Sequence, residues 1–375
     1  MLIACLAGVL AAQQEAVPEG TRPDPAKEIP PLMEAGNASY LRGDYEPARQ
    51  SFGQAWDLAQ QTPAENPLRY DILKRLTSVR AAVGEFADAD RYLQLAINWR
   101  ETAIDRNDSG ITDDLLISAA LCRGMKNYER ARAILLRVLT VHQAAQGEES
   151  RAVADDYSRM AQTYLDEKKL EQGAGYLKIA LEIRTKVANS LDASLVPDLD
   201  RLGSTLIAMR AYDQAEDIYR RALVIRETLL GSDDADLITS VDGLAYSLFG
   251  QKKYDQAEPL YQRLIGLWVK SVGDDHPMVA TAMDKVAIFY AEQKKFDKSK
   301  EASDRATAIR AHSLASSLVG QAMEQVAEGD AERAVQLLDR ALKVMDPPNP
   351  MYDELREAAG KLAVSLAPKK LAKKK

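Results

Sequence analysis

Residues 254–258 read Tyr-Asp-Gln-Ala-Glu, and residues 212–216, which lie 42 positions earlier, read the same five amino acids. A third copy begins 42 positions later with Phe296 and Asp297. A repeat of fixed length is the sequence signature of a chain built from stacked copies of one small unit. One unit of this kind cannot bury its apolar face alone, so neighbouring units stack and share a continuous core.

The same period extends outward from this stretch in both directions. It is marked by the residue that opens the second helix of each predicted helix pair, which is aromatic in most copies. These marker residues are Tyr45, Phe86, Tyr128, Leu170, Tyr212, Tyr254, Phe296 and, after a shorter interval, Ala331. Small side chains lie three positions after the markers, where two helices must pack closely. The pattern predicts an all-α fold, a right-handed superhelical solenoid of about eight antiparallel helix pairs.

The pattern resembles the tetratricopeptide repeat, whose usual unit is about 34 residues. The longer interval from Tyr212 to Tyr254 and from Tyr254 to Phe296 is similar to the repeat of kinesin light chains, which has the linker Leu-Gly-x-Asp-His-Pro. Residues 272–277 read Val-Gly-Asp-Asp-His-Pro and match this linker closely. That subclass often has paired asparagines on the first helix, where this chain has Asp242-Gly243 and Asp284-Lys285. The resemblance implies a protein that binds other proteins, but it names no partner.

Residues 1–14 are predicted to be a secretory signal peptide, because Met1 to Ala12 is an apolar run that ends in small residues. No basic segment precedes the run, so either the true start lies upstream or the signal is a weak one. The prediction places the protein in the periplasm or outside a bacterial cell, with a cytoplasmic location as the alternative. A lipid anchor on Cys5 is a further alternative, although the apolar run follows this cysteine instead of preceding it.

The remaining chain divides into four predicted segments. Residues 15–31 are rich in proline and are predicted to form an extended linker. The repeat array is predicted to span residues 32–346, and residues 351–366 have the apolar spacing of a helix that caps the last repeat. Residues 367–375 form a basic tail that is predicted to be disordered, with contact to an anionic lipid or polymer as the alternative.

The sequence offers no constellation that would support catalysis. Its three histidines, His142, His276 and His312, have no ligand set at metal-binding spacing. The only other cysteine besides Cys5 is Cys122, which has the spacing of a packed core residue, so no disulfide framework is expected. There is no glycine-rich phosphate loop and no nucleophile beside a base. We therefore expect no enzymatic activity, no cofactor and no bound metal.

The candidate binding residues lie on the first helix of each pair, because in this repeat class the first helices line the concave surface. Each first helix has a small residue nine positions before the marker, and the position two residues before that small residue is basic in four repeats, at Arg75, Arg159, Arg201 and Lys285. We predict that these cations bind carboxylates of a peptide laid along the surface, with Arg159 and Arg201 as the main contacts. The alternative is that Asp200, Asp242 and Asp284 neutralise the cations of neighbouring repeats.

The predicted function is therefore a scaffold that binds protein or peptide partners, with acidic segments as the expected ligands. The alternative is a structural or self-assembling component of the cell envelope, although the predicted capping helix favours a monomer. The net charge of −7 argues against a nucleic-acid partner. No apolar run in the sequence is long enough to span a bilayer, so no integral membrane segment is expected.

Overall fold

The computed structural model describes residues 24–104, 110–188, 191–345 and 350–366, and these residues form sixteen α-helices and no strand. The helices are α1 Pro25–Leu41, α2 Tyr45–Ala59, α3 Pro67–Ala82, α4 Phe86–Ala103, α5 Ile111–Gly124, α6 Tyr128–Gln146, α7 Arg151–Asp166, α8 Leu170–Val187, α9 Val196–Ala208, α10 Tyr212–Leu230, α11 Ile238–Gly250, α12 Tyr254–Val272, α13 Pro277–Glu292, α14 Phe296–Glu328, α15 Ala331–Val344 and α16 Pro350–Leu366. The chain divides into two compact units, Met1–Val187 and Ala188–Lys375, which are called unit 1 and unit 2.

Each unit is a stack of helix pairs in which every helix packs against the next one along the chain. The first helix of a pair is called the A helix and the second the B helix. Every B helix begins at the marker residue that the sequence predicts, from Tyr45 in α2 to Ala331 in α15. The predicted all-α repeat array is therefore confirmed. None of the helices in the described part of the chain is long and apolar enough to cross a membrane.

The turn between the A and B helices has one backbone geometry throughout. The residue two positions before the marker has a positive φ, and it is Gly43, Gly84, Lys126, Lys168, Arg210, Lys252, Lys294 or Gly329. In the sixth pair, the N–H of Lys252 donates to the carbonyl of Phe249, and the N–H of Lys253 donates to the carbonyl of Leu248, each at 2.9 Å. These two bonds are the Schellman motif, which satisfies carbonyls left free at a helix end.

Close packing between neighbouring pairs depends on small residues at fixed positions. The ring of Tyr219, which is only 4% exposed, lies against the backbone of α9 and α11. A Cβ added to Gly243 would be 2.3 Å from this ring, and a Cβ added to Gly203 would be 2.6 Å from it. Both distances are too short for any side chain. Gly243 therefore leaves open the space that the ring of Tyr219 fills.

The first helix begins earlier than the sequence predicts. Residues 25–31, assigned above to the proline-rich linker, are part of α1, and Ile29 is fully buried. Pro25 occupies the first helical position, where no backbone N–H is needed, and Asp24 caps the helix by accepting from the N–H of Ala26 at 3.0 Å. The linker prediction is wrong for these residues, although Pro30 and Pro31 lie inside the helix and each removes one backbone N–H from its hydrogen bonds. Residues 1–23 and the tail 367–375 lie outside the described residues.

The C-terminal end of unit 2 departs from the regular stack. The sequence predicts a separate A helix for the eighth pair, but α14 runs for 33 residues without a break and serves as both the seventh B helix and the eighth A helix. Its second half shares a separate core with α15 and α16, in which Leu318, Leu338 and Leu355 are buried. The predicted capping helix starts at Pro350 and covers this core through Leu355 and Ala359.

Candidate peptide-binding surface

A groove of about 750 Å³ lies between the A helices α1 and α3 of unit 1. Its apolar lining includes Met33, Leu68 and Tyr70, and its polar lining includes Asn37 and Arg75. The groove therefore combines four apolar or aromatic residues with six polar or charged ones, and the polar side chains could orient a ligand.

Arg75 is exposed in this groove, and it makes no ion pair with any residue that the structure describes. The adjacent Lys74 is different, because its ammonium group pairs with the carboxylate of Asp114, which is fully buried. The charge of Lys74 is thus used inside the protein. Arg75 is left as the cation of this groove that can pair with a carboxylate from a ligand.

The wall of the groove is held in place by a buried hydrogen-bond network. The hydroxyl of Tyr70 donates to Oδ2 of Asp114 at 2.8 Å and accepts from a guanidinium nitrogen of Arg100 at 3.0 Å. Burial, followed by the hydrogen bond to Asp114, raises the pKa of Tyr70 to about 12, so the hydroxyl stays protonated as a donor. The ring of Tyr70 also packs on Trp99, with 5.7 Å between ring centroids. These contacts fix the position of the Tyr70 side chain in the wall of the groove.

Arg159, also in unit 1, is partly neutralised by its own helix. One of its guanidinium nitrogens lies 3.2 Å from Oδ1 of Asp156, while the other carboxylate oxygen lies 2.6 Å from Nδ1 of His142. Burial raises the pKa of Asp156, and the hydrogen bond from His142 and the charge of Arg159 act against this effect. A ligand carboxylate at Arg159 would therefore have to compete with Asp156.

The two predicted site residues of unit 2 also have carboxylate partners. Arg201 lies 3.1 Å from Oδ1 of the buried Asp198 on the same helix, α9. Lys285 on α13 lies 2.5 Å from Oδ2 of Asp242 on α11. This second pair is the one that the alternative interpretation of the sequence predicts.

The other two aspartates named in that alternative, Asp200 and Asp284, pair with arginines that the alternative does not name. Asp200 accepts two hydrogen bonds from the guanidinium of Arg226, at 2.8 and 2.6 Å, and Asp284 pairs with Arg310. Both arginines lie on B helices, not on neighbouring A helices. The alternative is therefore correct for Asp242 and wrong in its choice of partner for Asp200 and Asp284.

Sequence reasoning misses these B-helix cations, although the sequence carries a signal for them. One position late in the B helix, at a constant distance from the marker, is basic in five repeats, at Arg100, His142, Arg184, Arg226 and Arg310. The sixth repeat has Trp268 there instead. As a result Asp242 takes Lys285 as its partner, and its Oδ1 is buried with no hydrogen bond to a described residue.

The described residues give no support to other kinds of site. No group of three or more His, Cys, Asp or Glu side chains within them is placed to hold a metal ion. Cys122 is fully buried, and burial followed by the nearby charge of Asp90 raises the pKa of its thiol. A raised pKa reduces the thiolate fraction on which cysteine reactivity depends, so Cys122 fits its predicted role as a packed residue.

Comparison with known sequence families also indicates a chain of repeated helix pairs. Residues 199–236 match one sequence family and residues 237–312 match another, and both families are described as tetratricopeptide repeat. The chain carries tetratricopeptide repeats. The helix pairs of unit 1 follow the same marker register as the matched tetratricopeptide repeats of unit 2. No curated protein matches the sequence.

Several solved structures are similar in fold to this chain. The C-terminal part of a tetratricopeptide-repeat protein from Cytophaga hutchinsonii has a TM-score of 0.53 at 12% identity, over 74% of this chain and 95% of that one. Putative kinesin light chain repeats from Podosopora anserina have a TM-score of 0.48 at 16% identity, over 54% and 96%. BtubC (BKLC) from P. vanneervenii has a TM-score of 0.48 at 19% identity, over 67% and 94%. At these identities the likeness concerns the fold alone.

Proposed function

We propose that this protein is a non-catalytic adaptor that binds a peptide segment of a partner protein in the groove between α1 and α3. The observation that carries the proposal is Arg75, which is exposed, has no ion pair among the described residues and lines the same groove as the apolar side chains of Met33 and Leu68. A guanidinium can bind both oxygens of one carboxylate, which fixes the orientation of a ligand as well as its charge.

The lining of the groove also suggests how much negative charge the ligand carries. Glu34 and Asp71 line the same groove as Arg75 and would repel a run of acidic residues. A fitting segment therefore has one aspartate or glutamate for Arg75 and apolar side chains for Met33 and Leu68. Asn37 offers both a donor and an acceptor for the peptide backbone.

We expect the other predicted contacts, Arg159, Arg201 and Lys285, to contribute less to peptide binding than Arg75. Each already has a carboxylate partner within 3.2 Å, so a ligand gains less from them than from an unpaired cation. They would bind a partner only by sharing or replacing these internal pairs. We therefore place the principal contact at Arg75 and not at Arg159 and Arg201.

The proposal is tested by selecting peptides from a displayed random library against the purified chain and measuring the affinity of the selected peptides. We expect peptides with a single acidic residue next to apolar residues, and a loss of at least tenfold in affinity for Arg75→Gln. Arg91→Gln is the matched control, because Arg91 is an exposed arginine of unit 1 that pairs with Asp88 and packs on Tyr92. Equal affinity for the Arg75 variant and the parent protein would refute the assignment of this groove.

We further propose that the protein is exported, on the basis of the apolar run from Met1 to Ala12. N-terminal sequencing of the native protein tests this proposal. A mature chain that begins after Ala12 supports export. A retained Met1 in a cytosolic fraction contradicts it, and a lipid on Cys5 would support the lipoprotein alternative.

A further inference from the structure

The A helices of unit 1 carry exposed side chains at one equivalent position, which lies eleven residues before the marker. The first three are Glu34 on α1, Arg75 on α3 and Ile117 on α5, and we call them the A-helix row. All three are exposed, and Ile117 is 39% exposed although it is apolar. The equivalent residue on α7, Arg159, already pairs with Asp156. The row therefore offers an acid, a base and an apolar side chain, in that order.

The three helices that carry the A-helix row lie side by side. Glu34 and Arg75 line the same groove between α1 and α3. Helix α3 contacts α5 through Tyr70 and Lys74, whose hydroxyl and ammonium groups both bond to the buried carboxylate of Asp114. The axes of packed helices are about 8–10 Å apart, so successive members of the row are separated by about that distance.

The two charges of the A-helix row are available to a ligand. Neither Glu34 nor Arg75 has an ion pair with a residue in the described ranges, so these two residues do not neutralise each other. Lys74, which lines the same groove, differs because its charge is used by Asp114. A ligand that carries one charge of each sign can therefore form an ion pair with each of the two residues.

A ligand with an acidic residue alone would be held less well. Asp71 lies one helical turn before Arg75 and lines the same groove. Side chains one turn apart have Cβ atoms about 5–6 Å apart, which is inside the Debye length of about 8 Å at physiological ionic strength. Asp71 therefore repels a carboxylate bound to Arg75. A basic residue of the ligand that pairs with Glu34 offsets this repulsion.

An extended peptide that crosses the A helices can contact the whole row. In the polyproline II conformation a chain rises about 3.1 Å per residue and has three residues per turn. Every third side chain then points in the same direction, and two such side chains are about 9 Å apart. This interval matches the separation of neighbouring A helices. Residues three positions apart in the peptide would therefore meet successive members of the row.

We propose that the peptide ligand of the groove carries a basic residue for Glu34, an acidic residue for Arg75 and an apolar residue for Ile117, three positions apart. The proposal rests on the proposed function, because it concerns the ligand of the same groove. It adds the class of peptide that the A-helix row selects. Glu34 and Ile117 thereby determine specificity, since each favours one kind of side chain at one place in the ligand.

Selection of peptides from the displayed random library tests the proposal through Glu34. Peptides selected on the parent protein should carry lysine or arginine three positions from the acidic residue, and an apolar residue three positions from it on the other side. Peptides selected on Glu34→Lys should carry an acidic residue in place of the basic one. Absence of the basic residue on the parent protein, or selection of the same peptides on both proteins, would overturn the proposal.

A double-mutant cycle shows whether the basic residue of a selected peptide contacts Glu34. Its replacement by glutamine should weaken binding to the parent protein about threefold, as expected for an exposed ion pair. The same replacement should leave binding to Glu34→Gln unchanged. Replacement of the acidic residue of the peptide should weaken binding to both proteins, because Arg75 is present in both. Equal losses for the basic residue in both proteins would place its contact elsewhere and overturn the proposal.

Asp71→Asn is the matched control, because it removes one carboxylate from the same groove but outside the A-helix row. It should keep the preference for a basic residue and bind the peptide as tightly as the parent or more tightly. Glu34→Gln and Asp71→Asn change exposed side chains, so both should melt as the parent does. Loss of the preference in Asp71→Asn but not in Glu34→Gln would assign the basic residue to Asp71 and contradict the proposal.

The result for Arg75 separates this proposal from the proposed function. If Arg75→Gln loses binding while Glu34→Lys selects the same peptides as the parent, the groove is correct and the A-helix row is wrong. If Arg75→Gln binds the selected peptides as the parent does, the assignment of the groove is itself wrong.

Discussion

The packing of Tyr219 against α11 predicts that Gly243→Ala destabilises the parent protein but stabilises a variant that lacks the Tyr219 ring. Gly243 lies inside α11, and an alanine Cβ there would meet three ring atoms of Tyr219 at 2.3 to 2.5 Å. Ordinary contact between carbon atoms is about 3.5–4.0 Å. The overlap is about 1 Å or more on that scale, and the ring has little room to move because it also lies close to the backbone at Gly203.

The expected magnitude follows from two opposing effects of Gly243→Ala. Overpacking of a tight core costs about 1–3 kcal/mol, and a clash with an enclosed ring belongs at the upper end of that range. Replacement of a helical glycine by alanine stabilises the helix by about 1 kcal/mol. The net result should be a loss of about 1–2 kcal/mol. In a Tyr219→Ala background the clash is absent, so the same change should stabilise the protein by about 1 kcal/mol.

Urea unfolding followed by circular dichroism measures these effects, and hydrogen exchange in α10 and α11 localises them. The control is Gly266→Ala in α12, where a new Cβ meets nothing within 4 Å and should give only the helical gain of about 1 kcal/mol. The reasoning fails if Gly243→Ala stabilises the parent protein as much as Gly266→Ala does. It also fails if the sign of the effect is the same in both backgrounds.

Two further predictions concern unit 2. Ala257→Phe should cost about 1–3 kcal/mol in unfolding free energy because Ala257 is fully buried; Gln256→Ala, on the exposed side of the same turn, should cost under about 0.5 kcal/mol. Burial alone would raise the pKa of Glu216, but hydrogen bonds from lysine, arginine and glutamine side chains outweigh it and lower the pKa to about 2, from 4.5. Glu216→Gln should therefore lose about 2–3 kcal/mol at pH 7. The folded pKa lies below the unfolded one, so this difference should shrink as the pH falls from 4.5 towards 2 in pH-dependent unfolding, and a constant difference would contradict it.

The repeat register and the helix starts could be predicted from the sequence because they depend on local, periodic requirements. A small residue such as Ala257 is needed three positions after each B helix begins, because two helices pack closely there whatever the neighbouring repeats contain. The start of α1 could not be predicted in this way. Prolines near a helix start resemble an extended linker in sequence, and only the burial of Ile29 against the first pair shows that the helix includes them.

The long helix α14 could not be predicted for a related reason. The shorter spacing between Phe296 and Ala331 indicates a repeat without the extra linker, but it does not show whether the chain turns between the two helices. Between these residues there is no proline, and the only glycines are Gly320 and Gly329. Without a residue that ends a helix, backbone hydrogen bonding continues through the whole segment as far as Glu328.

The candidate site was only partly predictable because the sequence shows which residues are charged but not which charges remain unpaired. Arg159, Arg201 and Arg75 occupy equivalent positions, yet the first two have an aspartate three positions earlier on the same helix and Arg75 has Ile72 there. An i,i+3 pair on a helix is close enough to neutralise an arginine. Arg75 does have Asp71 four positions earlier, but the structure shows no ion pair between them, so the difference between these arginines depends on side-chain geometry as well as on sequence. Substitution of Ile72 by aspartate should weaken peptide binding by placing a carboxylate beside Arg75, but it should also lower the free energy of unfolding, because Ile72 is fully buried in the core of unit 1.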